Sequence, residues 1–152
     1  MNMELETDRL AALVVQKHRC LTQLHDLGRL QLELVDAQSM GELLRVLSAK
    51  QRLLGGLTDV ERQLDVFRDQ PAESRTWRSE DERRRCAAFA DDCRRLLAEI
   101  MDQEKASEAK MIHYRDQTAE QLHATDTART ARSAYADVGP ATYGQLDLLT
   151  PS

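Results

Sequence analysis

Two leucine-rich rows, Leu10 to Val35 and Leu43 to Phe67, meet at Ser39-Met40-Gly41-Glu42 and confine this chain to a helical hairpin. The first row holds Leu10, Leu13, Val14, Cys20, Leu21, Leu24, Leu27, Leu34 and Val35; the second holds Leu43, Val46, Leu47, Leu53, Leu54, Leu57, Val60, Leu64 and Phe67. Apolar residues every three or four positions lie on one face of an amphipathic helix. Ser39, followed three residues later by Glu42, has the spacing of a capping box at a helix start. Gly41 in that first turn weakens the helix locally, so the chain is expected to turn there. A short connection between helices of similar length gives an antiparallel hairpin, with Leu24, Leu47 and Leu57 expected inside it.

The hairpin accounts for under half of the 152 residues, a length that suits one domain. Aromatics are 4% of residues and charged residues 31%, so strands have little to build on and the core must be thin and aliphatic. The fold class expected is all-α: a long antiparallel hairpin plus a long third helix, bundle-like or coiled-coil-like, with a loose C-terminal tail. Helices are expected at about 5–37, 40–69 and 79–136, forming a single helical domain over 1–136, with a flexible tail over 137–152.

Several positions interrupt the pattern. Lys17 and Gln31 sit near the middle of the first apolar face, and Lys50 and Gln51 interrupt the second. Their long stems can lie on the core while the heads reach water. Gly28 near the first face suits the close approach of a neighbouring helix, and Gly55-Gly56 suits either a kink or a close crossing. Pro71 ends the second helix, and Trp77 is expected to close the open end of the hairpin. Ser79 and Glu82 repeat the capping-box spacing, and Arg75, Arg78, Arg83, Arg84 and Arg85 nearby are balanced by acidic neighbours, as on a solvated helix start.

A third helix from Ser79 to Ala136 is about 87 Å long at 1.5 Å per residue, nearly double its predecessors. Phe89, Ile100, Met111 and Leu122 recur in it every eleven residues, a spacing that favours nearly straight helices. Its first half carries large apolar groups. Its second thins to Met111, Ile112, Tyr114 and Leu122, then to Ala124, Ala128, Ala131 and Tyr135. That surplus must project, fold back, dimerise, fray or await a partner. The tail after Asp137-Val-Gly-Pro suits either a docking motif or a disordered end.

Function classes narrow by chemistry. A net charge of −5 argues against nucleic acid as the main ligand. No apolar run reaches the ~20 residues of a membrane span, and the polar N-terminus is no signal peptide, so the protein is expected in the cytoplasm. Cys20, Cys86 and Cys93 suit small core residues; Cys86 and Cys93 are about 10 Å apart along one helix, too far to bridge. Glu120-x-x-His123 matches half of a di-iron motif but stands alone, and His18, His25, His113 and His123 have no ligand spacing. No phosphate loop or nucleophile elbow occurs, so neither an enzyme nor a metal or cofactor site is expected.

Gln31 with Leu32-Glu33-Leu34-Val35, the run Leu43-Leu44 through Lys50-Gln51-Arg52-Leu53-Leu54, the long third helix and the late Tyr143-Gly144 together resemble the FlgN-like family of flagellar type III export chaperones. The resemblance covers most of the chain. It implies a small acidic cytoplasmic chaperone that binds the amphipathic C-terminal helices of hook–filament junction proteins, prevents their premature assembly and delivers them to the export apparatus. Partner contacts are then expected at Met111, Tyr114, Thr118, Leu122, Tyr135, Tyr143 and Leu146. The same pattern also suits a structural coiled-coil scaffold or adaptor that homodimerises through the third helix.

Overall fold

Among the described residues three helices carry the fold: α1 (Glu6–Asp36), α2 (Met40–Arg68) and α3 (Glu80–Leu149), with a 3-10 turn over Ala72–Ser74. The computed structural model describes residues 4–149, with side chains from 4 to 137. They fall into two units, Met1–Lys110 and Met111–Ser152.

In the first unit α2 returns antiparallel to α1. Arg9 donates to Gln63 at 2.8 Å near one end, and Lys50 donates to Gln31 at 2.6 Å near the other. From its start to Lys110, α3 runs parallel to α1, as four contacts in the same order on both helices, and a fifth from Arg78 just before α3, require. Arg78 meets Asp8 at 2.6 Å, His18 meets Asp92 at 2.6 Å, and His25 meets Glu99 at 3.0 Å. Gln31 then meets Ser107 at 2.7 Å, and Asp36 meets Lys110 at 2.6 Å. The result is an up-down-up three-helix bundle, the all-α architecture expected.

Apolar burial supplies the cohesion. Leu10, Leu13 and Val14 of α1 pack with Val60, Leu64 and Phe67 of α2 and Cys86 of α3; Trp77 and Phe89 lean on this cluster from its edge. Trp77 thus closes the open end of the hairpin as expected. Thr7, 4% exposed, ties that end to the connector by donating to the Thr76 carbonyl at 2.7 Å. A second cluster joins Leu21 and Leu24 to Cys93, Leu96 and Ile100, with Leu53 and Leu57 partly buried against it. Gly28 leaves room for the Gln103 side chain of α3: a Cβ there would stand 2.1 Å from Gln103 Oε1, while Gln103 Nε2 donates to the His25 carbonyl at 3.0 Å. Gly55 and Gly56 meet nothing within 4 Å and α2 runs through them unbroken, so neither marks a crossing inside this chain.

Two local expectations need correction. The hairpin turns where expected, but not through a Ser39–Glu42 capping box: Ser39 makes no side-chain cap bond. Instead α1 ends in a Schellman turn. Gln38 stands at φ 55°, its N–H bonds the Val35 carbonyl at 3.1 Å, and the Ser39 N–H bonds the Leu34 carbonyl at 3.0 Å. The donor that Glu42 would accept from is therefore already taken. At α3 the Ser79 signal does act, its hydroxyl accepting from the Glu82 N–H at 3.1 Å. The second correction is Leu47, 37% exposed where burial was expected. Lys50 is the residue that turns inward, beside Leu43 and Val46.

The α3 helix passes Asp137-Val138-Gly139-Pro140, where its end was expected, and continues to Leu149. Glycine and proline disfavour a helix by about 1 and 3 kcal/mol, a local penalty and not an absolute stop. Thr150, Pro151 and Ser152 lie outside the described residues.

Candidate partner-binding surface

The second unit, from Met111, is the part of α3 that carries all seven of the expected contacts. Met111 and Tyr114 are half-buried, and Thr118 is exposed. Leu122 is 65% exposed and Tyr135 82%. His113 and Tyr114 meet edge to face, ring centroids 5.6 Å apart. At about 100° per residue, Met111, Thr118 and Leu122 share one face within roughly 40°, with Tyr114 some 60° to one side. Tyr135 stands about 120° from Met111, on the same face as Ala124, Ala128 and Ala131. The helix therefore joins four of the expected residues into one row and puts Tyr135 on another. Tyr143 and Leu146 lie outside the residues with described side chains.

Exposure there has a chemical reading. From Arg115 to Asp137 every residue is exposed, so the row presents Thr118 and Leu122 to water, while Met111 and Tyr114 at its start are half-buried. Each large side chain that a partner covers contributes about 25 cal/mol per Å² removed from water. Helix-in-groove recognition uses anchors at this spacing.

The first unit holds a polar layer that was not foreseen. Gln31 is 1% exposed, Ser107 2% and Lys50 7%, one from each helix. Gln31 Nε2 donates to Ser107 Oγ at 2.7 Å, Lys50 Nζ donates to Gln31 Oε1 at 2.6 Å, and Lys50 also pairs with Glu104. Burial pushes the Lys50 pKa down. The long stems of Gln31 and Lys50 were expected to carry their heads to water. Both heads instead point inward, because each satisfies the other and Glu104, half-exposed, supplies the countercharge. Lys17 behaves as expected, reaching Glu61 at 2.7 Å from a partly exposed position. The signal for the layer was in the spacing: Gln31 and Lys50 sit on the core rows themselves, and Ser107 follows Cys93, Leu96 and Ile100 in helical register.

Ionic contacts line the bundle. Glu61 takes both Lys17 and Arg68; burial raises its pKa, but these two bonds outweigh that and hold it below the ordinary range. The Arg78 and His18 bonds likewise hold Asp8 and Asp92 low. Arg75 donates to the Phe67 carbonyl at 2.7 Å, capping the end of α2. Cys86 and Cys93 are free, and burial pushes both thiols up, away from the reactive thiolate. Among the described residues no group of three or more His, Cys, Asp or Glu could hold a metal ion, and no helix is long and apolar enough to cross a membrane. Glu120 and His123 are both exposed on α3.

Comparison with family models, with curated proteins and with solved structures finds no match to this chain.

Proposed function

We propose that this chain is a cytoplasmic export chaperone that holds amphipathic helices of client proteins until they are passed on. The observation that carries it is the row Met111, Thr118 and Leu122, with Tyr114 beside it, on a helix otherwise exposed from Arg115 to Asp137. The resemblance of Gln31, Lys50-Gln51 and Tyr143-Gly144 to the FlgN-like chaperones supplies the class of client: C-terminal helices of hook–filament junction proteins. Such helices bury their apolar faces in their own assembly and would associate early if left uncovered. A chaperone helix with an unfilled apolar row covers them in the meantime.

Calorimetric titration with a peptide from such a C-terminal helix tests it. Binding is expected for the full chain and is expected to be lost in Met111→Glu with Leu122→Glu, which places charges in the covered row. Light scattering on the free chain separates the alternative. A monomer supports the chaperone, whereas a permanent dimer at low micromolar concentration that the same substitutions dissociate would make α3 a scaffold seam.

A further inference from the structure

We propose that the outward face of α2 is a second docking surface, for an amphipathic partner helix bearing carboxylates along one flank. The inward residues of α2 are Leu43, Val46, Lys50, Leu53, Leu57, Val60, Leu64 and Phe67, at alternating steps of three and four. About a third of a turn round lies another apolar row that belongs to neither core cluster. Met40 is 55% exposed, Leu44 67%, Leu47 37% and Leu54 43%. Single exposed leucines are ordinary. Four in helical register on one face are a contiguous patch, the usual mark of an interaction site.

Two further rows run beside it with the same period. Gly41, Ser48 and Gly55 stand seven residues apart, and beyond them Arg45 and Arg52 stand seven apart. Each glycine weakens the helix relative to alanine. At Gly41 and Gly55 a Cβ would meet nothing within 4 Å, so packing inside this chain does not require them. A partner backbone approaching closely does. Arg45 and Arg52 are exposed and make no ion pair among the described residues, so the shelf of small residues is bordered by two unneutralised cations.

These rows select the occupant. A strict seven-residue period suits a helix that supercoils left-handedly with α2. The arginines ask for carboxylates at the same spacing on its flank. A second copy paired antiparallel would set the arginine row against itself, so the proposal commits to a different chain and leaves a second copy as an outcome of the test. The surface is separate from the Met111–Leu122 row and stands or falls independently of the proposed function.

The test titrates the full chain calorimetrically with two synthetic helices of about 28 residues, sharing one leucine seam. One carries glutamates on its flanks and the other lysines. The glutamate helix is expected to bind at least about tenfold tighter, and Arg45→Glu with Arg52→Glu to invert the preference. Leu44→Glu with Leu54→Glu is expected to abolish binding while the melting curve persists, both side chains being exposed. Gly41→Ala with Gly55→Ala is expected to raise the melting temperature and to weaken binding by at least about tenfold. Met111→Glu with Leu122→Glu is expected to leave this binding unchanged. The proposal is overturned if neither peptide binds, if both bind equally, or if the Leu44/Leu54 pair retains binding. It is equally overturned if the glycine pair lowers the melting temperature, or if the free chain is a dimer that the Leu44/Leu54 pair dissociates.

Discussion

Replacing Gln31 by leucine should destabilise the bundle far more than its volume change implies, and two further substitutions should restore what it loses. Gln31 links α2 to α3 by accepting from Lys50 at 2.6 Å and donating to Ser107 at 2.7 Å. Gln31→Leu keeps the core filled but removes a bond to a charged donor, at about 1.5–3 kcal/mol, and leaves the 2%-exposed Ser107 hydroxyl without that donor, at about 1 kcal/mol more. The expected loss is roughly 2–4 kcal/mol. Adding Lys50→Met and Ser107→Ala removes the orphaned groups themselves, and buried polar sets replaced whole by apolar residues are near neutral or stabilising. The triple variant is expected within about 1 kcal/mol of wild type or above it, a non-additivity of at least about 1 kcal/mol. Urea unfolding with a shared m-value measures this. Losses that simply add across the three sites would refute the account of the layer as one mutually satisfied unit. Its pH dependence has a fixed sign. Burial lowers the Lys50 pKa from 10.5, so the folded state releases its proton first. Wild type should gain stability relative to Lys50→Met as pH rises from the depressed folded pKa towards 10.5, and lose that gain as pH falls back.

Gln38 holds φ 55° at the Schellman turn, a conformation that suits glycine, so Gln38→Gly should stabilise by about 0.5–1 kcal/mol in thermal melts; a loss of stability would mean the side chain has a role there. Leu24→Ala should cost roughly 2–5 kcal/mol, whereas Leu47→Ala should cost under about 1 kcal/mol, and equal losses would place Leu47 in the core after all. Glu61 titrates below its ordinary 4.5 through Lys17 and Arg68, so its contribution is full above that value and disappears as pH falls through the folded pKa. Glu61→Gln should therefore flatten acid unfolding, and an identical acid limb would contradict the assignment.

The helices were legible because leucine periodicity is a local signal that burial then enforces. Leu10, Leu13, Leu21 and Leu24 face the core on the row that their spacing dictates. The second helix was harder because it carries two apolar rows. Leucine at 47 and lysine at 50 suggest the opposite of what occurs, and it takes Gln31 across the hairpin and Glu104 on α3 to make burial of Lys50 tolerable. Ser39 failed as a cap for a similar reason. Its N–H is claimed by Leu34, a partner that spacing to Glu42 does not reveal. At Gly28 the expected space for a neighbouring helix exists, but a side-chain amide, that of Gln103, fills it. On α3 the row from Met111 to Leu122 follows from helix geometry, while Tyr135 falls off it because 24 residues do not complete whole turns.

The most direct measurement of the proposed function is amide hydrogen exchange along α3, free and saturated with a C-terminal client helix. With so little of the segment buried, amides from Arg115 to Asp137 should exchange much faster in the free chain than those around Leu21, Leu24 and Val60. Bound peptide is predicted to slow exchange across Met111 to Leu122 while leaving the bundle unchanged. Protection confined to the bundle, or none anywhere on α3, would contradict the assignment of that row to client binding.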